Sequence, residues 1–136
     1  MVAGYSKRPL VDKLGIKANS RISIVHQPEG FERTLGPLPG GVTLVSRPAK
    51  DMDYIHGFFL SAGRLDREFP SLKKALKFTG TLWISWPKKA AKIETDVTET
   101  EVREIGLKHG LVDVKVCAVD EVWSGLKFMY RLKDRS

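Results

Sequence analysis

Between Gly80 and Lys92 the chain reads Gly-Thr-Leu-Trp-Ile-Ser-Trp-Pro-Lys-Lys-Ala-Ala-Lys, the stretch that most narrows what it can fold into. From Thr81 to Trp86, apolar or small residues follow one another without the alternation of a strand that has one wet face. Such a run fits a strand covered on both sides, as in the parallel sheet of an α/β protein, where helices shield both faces. It ends at Pro87 and opens into Lys88, Lys89 and Lys92. Ligands of such sheets bind beyond the carboxyl ends of the strands. These lysines are therefore expected on the functional rim.

The rest of the chain supplies partners for this strand. Tyr5 to Gly15 predicts a short leading helix, with Pro9 in the first turn and Gly15 as the left-handed stop. Strands are predicted over Arg21 to His26, Val42 to Ser46 and Met52 to Leu60. Leu65, Phe69, Leu72 and Leu76 recur at helical spacing, opposite a face carrying Arg64, Arg67, Lys73, Lys74 and Lys77. Pro70 is expected to kink or divide that helix, and Gly80 to cap it. Thr98 with Glu101 forms a capping-box signal for a helix reaching about His109, where Gly110 stops it. A fifth strand follows from Val112 to Ala118, then a turn over Trp123, Ser124 and Gly125, then a sixth strand from Leu126 to Leu132. So short a link requires the last two strands to be antiparallel. The expected fold is a shortened Rossmann-like three-layer sandwich, a mainly parallel sheet with a final antiparallel hairpin.

At 136 residues the chain fits one domain, residues 1–136, with flexible ends expected over 1–8 and 133–136. It shows no long apolar span and no basic-then-apolar leader, so a soluble cytoplasmic protein without membrane contact is expected. The single cysteine, Cys117, excludes an internal disulfide and reads as an inert buried thiol. The net charge of +7 is unevenly distributed: residues 1–92 hold 16 Lys/Arg against 7 Asp/Glu, and residues 93–136 hold 7 against 9. A basic first part fits nucleic acid, a phosphorylated small molecule, an acidic protein, or simply a solvated surface.

The layout, with its reversed last strand, resembles the class I methyltransferase sheet shortened by about one strand-helix unit. The match narrows at Trp86-Pro-Lys-Lys89, Thr95-Asp-Val-Thr98, Val102-Arg-Glu104, Gly110 to Asp120 and Trp123-Ser-Gly-Leu126, together with Tyr5-Ser6, Pro9-Leu10, Leu14 to Lys17 and Pro28 to Phe31. In these motifs the chain resembles, over nearly its whole length, the bacterial proteins grouped as domain of unknown function 3052. That family has no established activity, so the resemblance supplies no catalytic residue.

Chemistry is sparse in the residues themselves. A site for S-adenosylmethionine or a dinucleotide needs glycines after the first strand and an acid after the second. Here the first strand leads into Gln27, Pro28, Glu29 and Gly30, and the second into Arg47 and Pro48, so no cofactor is expected. His26, His56, His109 and Cys117 lack metal-ligand spacing, and His56 reads as a hydrogen-bonded structural histidine inside a strand. Ser124 lies outside any Gly-x-Ser-x-Gly elbow. No catalytic residue is assigned. One constellation remains: Trp86, Lys88 and Lys89 at the end of the central strand, with Trp123, Ser124 and Asp120 entering the last one and His26 and Gln27 on a neighbouring strand end. Aromatic faces, ammonium groups and a hydroxyl suit an anion with a flat or apolar part. The alternative for each is a core tryptophan, a turn serine or a solvated lysine. The expected function is a non-catalytic module binding a small anionic ligand or a partner through Trp86, Lys88, Lys89, Trp123 and Ser124. The alternatives are a basic nucleic-acid-binding protein and a degenerate methyltransferase-like enzyme.

Overall fold

The structure, a computed structural model, describes residues 8–135; the expectations for Tyr5 and Ser6 and for most of the amino-terminal end lie outside the described residues. The elements run α1 (Leu10–Leu14), β1 (Arg21–Val25), α2 (Phe31–Leu35), β2 (Thr43–Leu44), β3 (Met52–Phe58), α3 (Ala62–Ala75), β4 (Leu76–Pro87), α4 (Glu99–Lys108), β5 (Leu111–Ala118) and β6 (Trp123–Tyr130). The strands form one sheet in the order β2-β1-β3-β4-β6-β5. β2, β1, β3 and β4 are parallel, and β6 runs antiparallel between β4 and β5. This is the expected three-layer α/β sandwich with a closing antiparallel pair.

β4 sits inside the sheet, and its apolar run divides between two cores. Leu82, Ile84 and Trp86 join the core under α3 and α4, with Phe69, Leu72, Val102 and Phe128. Trp83 points the other way, into the core under α1 and α2, with Leu14, Ile22, Phe31 and Tyr54. Leu82, Trp83 and Ile84 are all fully buried. Helices on both faces thus explain why this strand has no polar alternation.

Three local expectations are corrected. Gly80 does not cap a helix: α3 ends at Ala75, Leu76 is already extended, and Gly80 lies within β4. A Cβ there would stand 2.8 Å from the Met52 carbonyl oxygen, next to a register shift between Met52 and Tyr54. The glycine is demanded by close strand approach at an irregularity. Pro70 does not divide α3, which runs unbroken from Ala62 to Ala75; the ring is exposed, so water can take the Asp66 carbonyl that proline leaves unpaired. Trp123, Ser124 and Gly125 are not a turn but the first residues of β6. The turn lies just before them, where Asp120 Oδ1 accepts from the Val122 and Trp123 amides, both at 2.8 Å. Such a side-chain-closed turn needs no glycine.

The amino terminus of α4 follows expectation in part: Thr98 Oγ1 accepts from the Glu101 amide at 3.2 Å. Thr98→Ala should cost about 0.5–2 kcal/mol, because that amide loses its acceptor. The readout is the urea midpoint, and an unchanged midpoint would count against the cap.

Candidate functional site

Strand pairing decides how the expected site residues are arranged. At the carboxyl end of β4, Trp86 pairs with Ser124 and Pro87 with Trp123. Paired residues share a sheet face and successive residues alternate. Trp86 and Ser124 therefore face α4, whereas Trp123 faces α2. Both sets stand at the carboxyl rim of the parallel strands, but on opposite sides of the sheet.

On the α4 side, Trp86, Lys88, Lys89 and Ser124 line a cavity of about 540 Å³ together with Val97 and Thr98. Trp86 is only 6% exposed, so little of its ring is open to a ligand. Lys88 is tied down: its Nζ donates to the Asp120 carbonyl at 2.6 Å and its amide to the Val122 carbonyl at 2.7 Å. It staples the end of β4 to the β5–β6 connection. Lys89 is exposed and opens a short 3-10 turn closed by Lys92 in the left-handed region, φ 55°.

Over the strand ends, Trp123 and Phe58 from the α2 side line a crevice of about 310 Å³ with His26, Pro28 and, from the α3 side, Phe59 and Arg64. β1 and β3 are adjacent, and from this pair the chain order runs outward to β2 on one side and β4 on the other. The crevice thus lies at the topological switch point, where open α/β sheets bind ligands. Its walls are aromatic: Phe58 meets Trp123 edge-on at 5.0 Å, and His26 meets Phe59 edge-on at 5.2 Å. One charged cluster borders it. Arg64 Nε donates to Glu68 Oε2 at 2.6 Å, His26 Nε2 lies 2.9 Å from Glu68 Oε1, and Arg64 Nη2 lies 3.5 Å from His26 Nδ1. An imidazole protonated on Nε2 fits all three contacts. Burial works to raise the Glu68 carboxyl, but the hydrogen bonds from Arg64 and His26 outweigh it and hold it below the ordinary glutamate value. Arg64 has five N–H donors, and these contacts use two of them.

The sequence reading placed His26 and Trp123 at this rim but missed Arg64, Phe58 and Phe59. Phe58 and Phe59 read as ordinary strand residues, and Arg64 as one charge among five on a helix face. The signal was the position of Ser61, whose hydroxyl accepts from the Arg64 amide at 3.2 Å and so starts α3 at the rim.

A second polar group is closed to ligands. His56 Nδ1 lies 3.0 Å from the Tyr54 hydroxyl and His56 Nε2 lies 2.7 Å from Ser85 Oγ. The imidazole stacks on Phe58 at 4.4 Å. Serine, histidine and tyrosine in a row suggest a nucleophile with its base. Yet His56 and Ser85 are 0% exposed, and burial holds the imidazole at a pKa of about 3. No substrate reaches Ser85, so the chain of hydrogen bonds is structural, as expected for His56.

The lysines form no continuous stripe. Lys77 and Lys88 stand at opposite ends of β4, 11 residues apart, which at ~3.3 Å per residue is on the order of 35 Å. Lys73 donates to the His109 carbonyl at 2.8 Å and Lys77 pairs with Asp53 at 2.9 Å. Among the described residues no helix is long and apolar enough to cross a membrane, and no group of acidic, histidine or cysteine side chains is placed to hold a metal ion.

No protein-family model matches the chain, and no curated protein matches it. Solved structures do. It is similar to an S-adenosylmethionine-dependent methyltransferase from Aquifex aeolicus, with a TM-score of 0.65 at 16% identity over 90% of this chain and 88% of that one. It is also similar to a TehB-like S-adenosylmethionine-dependent methyltransferase from Corynebacterium glutamicum, with a TM-score of 0.57 at 11% identity over 95% and 91%. Magnesium protoporphyrin IX methyltransferase from Synechocystis PCC 6803, solved with S-adenosylmethionine bound, gives a TM-score of 0.57 at 10% identity over 90% and 74%.

The residues at the corresponding rim do not fit that cofactor. Beyond β1 the backbone turns at His26, φ 56°, and Gly30 is the single glycine of the connection. β2 is followed by Val45, Ser46 and Arg47, with no carboxylate to accept ribose hydroxyls. The chain has the fold of the S-adenosylmethionine-dependent methyltransferases.

Proposed function

We propose that the chain is a non-catalytic cytoplasmic binding module on a methyltransferase fold, belonging to the domain of unknown function 3052 family whose motifs it resembles. Its ligand is a small anion with a flat apolar part, held at the carboxyl rim of the sheet. The observation that carries this reading is the switch-point crevice, with Phe58, Phe59 and Trp123 for walls and Arg64 at its mouth. The apolar part would lie against the indole of Trp123. The anionic end would take the remaining guanidinium donors of Arg64, which suit a planar carboxylate. Lys88 and Lys89 add positive field on the same rim, with Trp86 and Ser124 in the adjoining cavity as an extension of the site.

The probe is 2-naphthoate, a flat aromatic carboxylate, read by quenching of tryptophan fluorescence. Trp83 and Trp86 are buried, so the response should come from Trp123. Arg64→Gln should weaken binding about tenfold or more, as expected for loss of a charge-assisted hydrogen bond, and Trp123→Ala should abolish the quenching. Equal affinity in parent and Arg64→Gln would overturn the reading. The alternative is a methyltransferase, which the shared fold favours. Micromolar binding of S-adenosylmethionine in calorimetry would decide for it.

A further inference from the structure

A second concavity, of about 470 Å³, opens at the opposite end of the sheet, against the amino ends of β3 and β4 on the α1 side. The loop between α1 and β1 supplies Lys17 and Asn19, β4 supplies Lys77, Thr79 and Thr81, and β6 supplies Lys127. The one carboxylate lining it, Asp53, is already engaged: Oδ1 takes Lys77 Nζ at 2.9 Å and Oδ2 takes the Arg21 amide at 2.8 Å. Three ammonium groups thus face a single, satisfied acid.

Two of those ammonium groups have no counter-charge among the described residues. Among the described residues no carboxylate lies within ion-pair distance of Lys17 or Lys127. Lys127 also pairs in register with Lys115 on β5, so two like charges stand directly opposite across an antiparallel ladder. Such pairs are destabilising. Burial, then Lys115 and Lys17, hold the Lys127 ammonium below the ordinary lysine value. A concavity that sets an exposed Lys17 and a partly buried Lys127, neither paired with a carboxylate among the described residues, beside hydroxyl and amide donors is complementary to an anion with several acceptor oxygens.

We propose that this concavity binds the phosphate or diphosphate group of a small molecule. Lys17 and Lys127 supply the charge, and Thr79, Thr81 and Asn19 supply neutral donors. Its volume lies within the roughly 300–1,000 Å³ range of small-molecule sites. The concave shape and the separation of Lys77 from Lys88 along β4 argue against the backbone of a nucleic acid, which needs an extended basic track. The site is independent of the switch-point crevice, so either can fail alone.

Inorganic pyrophosphate is the probe, followed by calorimetry and by thermal unfolding. The parent should bind it and melt several degrees higher at a concentration a hundredfold above Kd. Lys17→Gln and Lys127→Gln should each weaken binding about ten- to a hundredfold. Without pyrophosphate, Lys127→Gln should melt no lower than the parent, because the repulsion from Lys115 is gone. Lys108→Gln, on α4 at the other face of the sheet, should bind as the parent does. The proposal is overturned if pyrophosphate leaves the parent's melting unchanged, or if both lysine variants bind as tightly as the parent. Citrate binding as tightly as pyrophosphate would overturn the phosphate assignment. Tighter binding of a short DNA duplex, lost in the same variants, would overturn the small-molecule assignment.

Discussion

Trp83→Ala is expected to lower the unfolding free energy by about 3–5 kcal/mol, the range for truncating a large buried aromatic side chain. Trp83 is fully buried in the middle of β4 and belongs to the core under α1 and α2. Its surroundings leave little room for collapse into the gap. Gly125 across the strand pair already lies so close that a Cβ there would stand 3.1 Å from the indole, and His56 lies 6.3 Å away on β3. The indole N–H also donates to the Leu14 carbonyl at 2.8 Å, tying the last residue of α1 to the sheet. Five residues cannot hold a helix by backbone bonds alone. α1 therefore depends on this anchor and on Val11 and Leu14 beneath it. Trp83→Phe separates the two contributions: it keeps most of the apolar volume but leaves the Leu14 carbonyl unpaired, for a loss of about 1–3 kcal/mol. Urea unfolding of both variants checks the pair. A loss below about 1 kcal/mol for the alanine variant would mean that Trp83 is not the anchor of that face.

The fold was legible because its strongest signals are collective. The unbroken run over Thr81 to Trp86, the helical spacing of Leu65, Phe69 and Leu72, and the short link before the last strand each restrict topology over many residues. Expectation failed where one residue had two physical readings. Gly80 was compatible with a helix stop or with close strand approach, and the nearby Met52 carbonyl that decides between them is distant in sequence. Trp123, Ser124 and Gly125 carry turn-like composition, but Asp120 makes the turn with its side chain and leaves them free to pair. β5 was placed by its alternation of Val112, Val114 and Val116 with Asp113 and Lys115. A register shift between Asp113 and Lys115 and the edge position leave Val114 and Val116 about half exposed.

The candidate site was less legible for a reason specific to sheets. Sequence order brings Trp123 and Ser124 to the rim together, but the pleat sends adjacent side chains to opposite faces. Only the register tells which one meets Trp86. Ser124 does, and Trp123 instead joins Phe58 and the end of β1. Arg64 was invisible for a different reason: a charge on an amphipathic helix looks the same whether it faces solvent or a crevice, unless the helix start is known. The amino-end concavity was hidden further still. Lys17, Lys77 and Lys127 come from three separated segments, and no spacing rule links them.

Acidification is expected to destabilise the protein well before its carboxylates titrate, through His56. The imidazole is fully buried and its pKa lies at about 3, below the ordinary 6.5, because burial disfavours the charged form. Above pH 6.5 it is neutral in both folded and unfolded chains and contributes no pH dependence. Below 6.5 the unfolded chain takes up a proton that the folded one refuses. Stability therefore rises with pH through this window and falls by about 1.4 kcal/mol for each unit of acidification, until the folded state itself is protonated near pH 3. Between pH 6.5 and 4.5 the expected loss is about 2–3 kcal/mol. Glu68 and Asp53 act in a lower window. Each is held below its ordinary value despite burial, Glu68 by Arg64 and His26, Asp53 by the Arg21 amide and Lys77. Their contribution is present above the unfolded carboxylate pKa and is lost only as pH falls further. Urea unfolding at half-unit steps from pH 7 to 4.5 should show the slope in the parent and not in His56→Gln. If that variant does not fold, the parent's own His56 ring resonances give the answer: they should show no titration down to pH 4.5. A titration midpoint near 6.5, or identical slopes in parent and variant, would mean that the histidine is not sealed between Tyr54 and Ser85, and would reopen that trio as a reactive group.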